Sequence, residues 1–287
     1  MHEVRSFQLP VRPDAAHLVS TLLVDDSPRA LARIATPSPC AQLVARFGPG
    51  VAGGVDVHLL GAQCRVRRKH VGAGHRAIVL RLRPGTQRAV AGAPPGALAH
   101  RAVAIEDLWG PGVGTRLRAR LATAADASAA AALLQSAVVE RASAMRGMHS
   151  PAPRLASAIT HLQSAGVAEA ARSLGVSERQ LRRDFHDALG LSPKAVARLD
   201  RFARALRAAH VDDAPSWAAI AADAGYYDQA HLIAEFNAIA GASPAALLSE
   251  LRLAVPVGWN WAGPQPAKTA GIRSRSATPG TQVHMAR

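Results

Sequence analysis

In AIVLRLR, residues 77–83, Ile78, Leu80 and Leu82 share one face and Val79, Arg81 and Arg83 the other. That period of two predicts a half-buried strand. HLVSTLLV (17–24), AQLVARF (41–47), GVDVHLL (54–60) and CRVRRKH (64–70) are runs of similar length, divided by turn signals such as GPGVAGG and GAGH. Residues 1 to about 121 therefore read as β-rich, a set of short strands suited to an antiparallel sheet or small barrel. The period then changes. ATAADASAAAALLQSAVVERASAM, around residues 122–146, carries helix formers with no internal Gly or Pro. Leu134, Val138 and Arg141 share one face of that helix, which packs on the sheet or against a partner chain. SPAP (150–153) punctuates the chain, and helical periods dominate after it.

The helical part repeats itself. GVSERQLRRDFHDALGLSP (175–193) returns as GYYDQAHLIAEFNAIAGASP (225–244). Leu181, Phe185, Gly190, Ser192 and Pro193 recur 51 residues later as Leu232, Phe236, Gly241, Ser243 and Pro244, while Gly175 recurs 50 residues later as Gly225. One residue is thus added in the turn of the second copy. In the first copy, VAEAARSL (167–174) turns Val167, Ala170, Ala171 and Leu174 to one side. Gly175 stands where a helix ends in the left-handed region, and Ser177 is placed to cap the next helix. Leu181 and Phe185 point inward, which leaves Arg179, Arg182 and Arg183 together outside. In the second copy, WAAIAADA (217–224) faces Trp217, Ile220, Ala221 and Ala224 inward. Asp228 caps the following helix, and Gln229, Ala230, Ile233 and Ala234 are left exposed.

Two helices joined by a short Gly-containing turn form a helix-turn-helix, whose second helix enters a major groove. A single copy reads equally well as an ordinary helical hairpin. Two copies with matched caps favour DNA. SPKAVARLDRFARALRAAH (192–210) joins them, with Ser192-Pro193 as cap and first turn. A helix over 193–209 is roughly 25 Å long at 1.5 Å per residue. Adjacent major grooves on one face of DNA lie about 34 Å apart. Such a rod with a unit at each end reaches both grooves. Arg198 and Arg201 on it stand either against phosphate or in solvent.

Charge changes this picture less than its total suggests. The chain of 287 residues carries a formal charge of +14. Residues 1–150 hold 19 basic against 9 acidic residues, residues 151–250 hold 10 against 11, and residues 251–287 hold 5 against none. The repeated region is nearly neutral as a whole. Lys69, Lys194 and Lys268 are the lysines among 34 basic residues, a bias that GC-rich coding also produces. The two cysteines, Cys40 and Cys64, make neither a disulfide framework nor a four-ligand zinc site. MHEVRSFQLPVRP lacks a basic stretch followed by an apolar one, and no run of eighteen apolar residues occurs. A reducing, cytoplasmic setting with no membrane is expected. The tail from Val255, rich in Gly, Pro, Ser and Thr, reads as disordered.

AARSLGVSERQLRRDF, GLSPKAVARLDRFARAL, IAADAGYYDQAHLIAEF and GASPAAL together resemble the DNA-binding domain of the AraC/XylS family of bacterial transcription regulators. The resemblance covers residues 155 to 250, about one third of the chain. It implies a seven-helix domain with two helix-turn-helix units on one long helix. It implies DNA contact from Ser177, Arg179, Gln180, Arg182 and Arg183 in the first unit, and from Asp228, Gln229 and His231 in the second. Arg198 and Arg201 are the candidates on the connecting helix. Arg can bond guanine O6 and N7 in a bidentate manner, and Gln adenine N6 and N7. Ala234 departs from the family, many of whose members carry arginine there. With Ala230 also apolar, the first unit is expected to supply most of the base specificity.

The expected architecture is α+β. Residues 1–150 form a β-rich sensor or interaction domain with a helical end, 151–254 the DNA-binding domain, and 255–287 the tail. Double-stranded DNA is the expected partner. A small-molecule effector, a second copy of the chain and RNA polymerase are the others a regulator of this kind implies. No cofactor and no catalysis are expected. The rival is an enzyme in the β-rich half with the helical repeat as a targeting module, but no nucleophile–base or acidic pair supports it. A third reading makes the front half a protein-interaction module alone. GPGVAGG lacks the Lys-Ser/Thr end of a phosphate loop. His58, His70, His75 and His100 form no compact ligand group, Cys40 reads as a small buried residue, and RVRRKH (65–70) reads as a solvated charge run or a nucleic-acid contact.

Overall fold

The computed structural model describes residues 5–145, 152–164, 166–212, 214–253 and 255–257. The front half contains β1 (Arg5–Leu9), β2 (Val19–Ser27), β3 (Leu31–Ala35), β4 (Gln42–Phe47), β5 (Val55–Leu60), β6 (Arg67–Val71) and β7 (His75–Leu82). They are followed by α1 (Gln87–Ala91), α2 (Pro95–Leu98), β8 (Ala102–Ala104), α3 (Ile105–Trp109), α4 (Pro111–Ala122) and α5 (Ala127–Ala144). Six strands make an antiparallel sheet in the order β1-β2-β7-β4-β5-β8. β3 and β6 pair separately as an antiparallel ribbon.

Alternation along the strands sorts the sheet into two faces. Leu22, Val24, Leu43, Ile78, Leu80 and Leu82 face the helices and meet Val90, Ile105, Leu117, Leu121, Leu134 and Val138 in one core. Leu134 and Val138 thus place α5 on the sheet. Trp109 closes this core by donating its indole N–H to the Val90 carbonyl at 2.8 Å. The other face carries Leu23, Val44 and Val79, which also are buried. β7 was expected to be half-buried, yet Arg81 is 5% exposed. The reason is the β3–β6 ribbon, which covers the face that alternation alone assigns to solvent.

Two further expectations are corrected. Much of residues 84–121 is helical, because Pro95 and Pro111 open helices at their first positions while Gly92 and Gly110 interrupt the apolar period. The strand expected over 64–70 begins at Arg67, since Val66 instead donates its N–H to the Ile239 carbonyl at 2.9 Å.

The rear half contains α6 (Ala152–Ser164), α7 (Val167–Ser173), α8 (Glu178–Leu189), α9 (Pro193–His210), α10 (Trp217–Asp223), α11 (Gln229–Ala240) and α12 (Pro244–Leu253). These are seven helices among the described residues. Their core gathers around Phe185, Phe202 and Phe236. Phe202 and Phe236 lie with ring centroids 4.5 Å apart, and Trp217 meets Phe236 edge-on at 6.1 Å. Each of these large side chains contributes about 1.5–3 kcal/mol by its burial, beside the many Leu and Ala of the same core. Residues 146–151, where SPAP begins, lie outside the described residues, as does most of the tail. β9 (Val255–Val257), at the head of the segment expected to be disordered, pairs in parallel with β3.

The halves pack closely. Gly190, at φ 70°, ends α8 so near α2 that a Cβ there would stand 2.7 Å from the Gly96 nitrogen and the Pro95 carbonyl carbon. Arg68 of β6 donates to the Ala240 carbonyl at 2.8 Å and to Glu250 of α12 at 2.6 Å.

Candidate nucleic-acid interface

Each copy of the repeat folds by the same bonds. After α7, Gly175 takes φ 65°, and the Val176 N–H reaches the Ala171 carbonyl at 3.0 Å. After α10, Gly225 takes φ 78°, and the Tyr226 N–H reaches the Ala221 carbonyl at 2.8 Å. Both are helix ends that need the left-handed region, where a Cβ is strained. Ser177 then accepts from the Gln180 N–H at 3.1 Å, and Asp228 from the His231 N–H at 2.7 Å. Ser177 and Asp228 therefore start the two second helices. Ser192 repeats the device at the head of α9 by accepting from the Ala195 N–H at 3.2 Å.

Leu181 and Phe185 are buried on α8, as Leu232 and Phe236 are on α11. That anchoring turns the opposite face of α8 outward. Arg179, Arg182 and Arg183 are all exposed there. Arg182 pairs with Glu178 and Arg183 bonds the Gln180 side chain, while Gln180 donates to Asp184 at 2.5 Å. These contacts lie within one exposed helix face, where ion pairs contribute about 0.3–0.5 kcal/mol. These partners therefore hold the arginines only weakly.

The second unit differs. Gln229 and His231 are exposed on α11, beside Ala230 and Ala234. Ile233, expected to be exposed, is partly buried against the core. Glu235, which the repeat pattern did not single out, is buried and faces α9. It takes Arg201 at 3.0 Å, Arg198 at 3.4 Å and the His231 Nε2 at 4.0 Å. Burial raises the Tyr226 hydroxyl pKa first, and the Glu235 charge adds to it. Arg201 lies 5.6 Å from the Tyr226 ring centre. Arg198 and Arg201 are therefore tied into the joint between α9 and α11 rather than standing free. Their spacing to Glu235 crosses two helices, so no period within either helix could disclose it. Tyr227, 93% exposed in the turn beside Gln229, is a further contact candidate that the sequence reading passed over. Its position beside buried Tyr226 was the available signal.

In the front half, His58, His70 and His75 border a shared cavity, but no group of three metal-binding side chains occurs among the described residues. Burial lowers the His58 pKa to about 4, with the Arg46 charge adding to the effect. Cys40 is buried and its thiol is pushed up to about 11 by loss of solvent. No single helix among the described residues is long and apolar enough to cross a membrane.

Residues 170–250 match a family model described as a helix-turn-helix domain. No curated protein matches the chain. Among solved structures, ToxT from Vibrio cholerae aligns over 82% of this chain and 98% of its own, at 9% identity and a TM-score of 0.40. The unsaturated fatty acid-bound form of ToxT aligns over 79% and 94%, at 10% identity and a TM-score of 0.39.

Proposed function

We propose that this chain is a sequence-specific DNA-binding transcriptional regulator that lays α8 and α11 into successive major grooves, under the control of an effector held by the front domain. The carrying observation is the exposed arginine face of α8, backed by buried Leu181 and Phe185 and repeated in build, though not in charge, by α11. α9, with 18 residues, spans about 27 Å and acts as the stiff spacer between the units. The α11 surface offers Gln229, His231 and Tyr227 but no free arginine row, so α8 supplies most of the base discrimination. This reading needs no catalytic group. It places the protein beside chromosomal DNA in the cytoplasm, with RNA polymerase and a second copy of the chain as its protein partners.

Selection of bound duplexes from a random pool tests it. The expected product is a split site whose halves lie about one helical turn apart, with the stronger half assigned to α8. Recovery of no enriched sequence by the full-length protein would remove the reading.

A further inference from the structure

The uncovered-looking face of the six-stranded sheet is the floor of a cavity of about 390 Å³ roofed by the β3–β6 ribbon. Strand register fixes what that floor presents. Leu23, Val79, Val44 and His58 form one row across β2, β7, β4 and β5. Arg81, Gln42 and Leu60 form the next. The floor is thus an apolar strip with one buried arginine beside it.

The roof is cationic. Arg33 stands opposite Lys69, and Ala35 opposite Arg67, so these residues share the inner face of the ribbon. Arg33 is 2% exposed. It meets Asp25 at 3.1 Å and Ser27 at 2.9 Å, while its Nε has no hydrogen-bond partner. Eight Arg or Lys side chains border the cavity against a single acid, Asp25. Asp56, Asp26 and Glu250 pair with three of the eight from outside the cavity. Arg65, Arg67 and Lys69 form no salt bridge among the described residues. Lost solvent lowers the Lys69 pKa, and the charges of Arg33, Arg67 and Arg46 lower it further, against an opposing pull from Asp25. Arg65, Arg67 and Lys69 are exposed at the rim and Arg33 and Arg81 are buried behind them, so like charges converge on the cavity and repel one another until an anion joins them.

The ribbon's outer face belongs to the helical domain. Ile34, between Arg33 and Ala35, is part of the core around Phe185, Phe202 and Phe236. Arg68, between Arg67 and Lys69, holds the last carbonyl of α11 and Glu250 of α12. β9, the segment that follows α12, pairs with β3 beside Arg33. One two-stranded element therefore has the cavity on one side and the second helix-turn-helix unit on the other.

We propose that this cavity binds an organic anion, a carboxylate on a compact apolar body, and that the β3–β6 ribbon passes its occupancy to α11 through Arg68. The apolar body lies along Leu23, Val44 and Val79. The carboxylate takes the charge of the Arg33–Lys69–Arg67 row. Drawing that row inward moves Arg68 and Ile34 with it, because neighbours in a strand cannot shift independently. The inference rests on the regulator reading for its output and on the cavity alone for its ligand.

The test uses the full-length protein. Benzoate, octanoate and malate are each compared with their neutral amides and with inorganic phosphate by thermal unfolding. Benzoate or octanoate is expected to raise the midpoint by several degrees, with its amide, malate and phosphate giving less than a third of that shift. Arg67→Gln with Lys69→Gln, both at the open side of the ribbon, should abolish the shift without lowering the ligand-free midpoint, which relief of the cation repulsion should hold at or above that of the parent. Arg68→Gln should keep the shift. It should remove the several-fold change in affinity for the selected duplex that the carboxylate causes in the parent. Equal shifts from amides, malate or phosphate, no shift from benzoate or octanoate, or an Arg68→Gln protein that still couples ligand to DNA would overturn the proposal. Specific DNA binding without ligand is measured in the same series, so loss of the regulator reading is distinguished from loss of this one.

Discussion

Glu235 on α11 holds Arg201 on α9 at 3.0 Å, and Arg198 on the same helix at 3.4 Å. The carboxylate is buried, and both arginines approach it from the long spacer. The angle between α9 and α11 is therefore set by charge as well as by the packing of Phe202 on Phe236.

Glu235→Gln keeps the shape and removes the charge. The two guanidiniums keep 39% and 26% exposure, so losing their counter-charge should lower stability by about 1–2 kcal/mol, read from the urea midpoint. The same change frees two cations for phosphate. The slope of log K against log salt should steepen by up to about 2, since each phosphate contact contributes about 0.9. An unchanged slope would mean that Arg198 and Arg201 serve the joint alone.

Arg182→Ala and Arg183→Ala should each weaken binding by about 1–3 kcal/mol and relax base choice in one half-site, with no loss of fold. Both side chains are exposed, so thermal stability should change by less than about 0.5 kcal/mol. Competition between the selected duplex and single-base variants measures the effect. If affinity and base preference both survive, α8 is not a reading helix.

Gly190 and Gly175 offer a matched pair. Both take the left-handed region, at φ 70° and 65°, but a Cβ on Gly190 would strike α2 whereas one on Gly175 meets nothing within 4 Å. Gly175→Ala should cost about 1 kcal/mol, the backbone penalty alone. Gly190→Ala should cost more and should raise amide exchange in Pro95–Leu98 and around His186, where the front domain touches α8. Equal costs for the two variants would show that the α2–α8 contact gives way freely.

His58 predicts an acid limb. Its folded pKa is about 4 against an ordinary 6.5, chiefly because it is buried. Between those values the unfolded chain takes up a proton that the folded chain refuses. Stability from this residue is therefore complete above about pH 6.5 and is lost as pH falls toward 4. The loss amounts to at most about 3 kcal/mol at 1.36 kcal/mol per unit. His58→Gln should flatten that limb in chemical denaturation run from pH 7 to pH 4. A parallel pair of curves would assign the acid sensitivity to other groups.

The rear half was legible because its determinants are local. Gly175, Ser177, Gly190, Ser192, Gly225, Asp228 and Gly241 act on backbone within a turn of themselves, and Leu181, Phe185, Leu232 and Phe236 act through the helical period. Capping and period survive in a string of letters. The arginine face of α8 follows from them, as does the length of α9.

The front half was legible only in part. β2, β4, β5 and β7 were visible as runs, but the short helices of residues 87–122 were hidden by Pro and Gly, which punctuate loops and open or close helices alike. Cavity, ribbon and domain contact were not written in any window. The charges of RVRRKH are exposed, as a solvated run would be, but nothing in that stretch disclosed that β3 brings Arg33 beside Lys69 or that Val66 and Arg68 meet the end of α11. The sequence by itself determined two capped helix-turn-helix units and the spacer between them. Only the tertiary structure decided that Arg198 and Arg201 belong to Glu235, that Arg81 is buried, and that one ribbon lies between the cavity and the α11–α12 pair. Caps and periods act over a few residues, whereas a buried charge is placed by whichever distant segment folds over it.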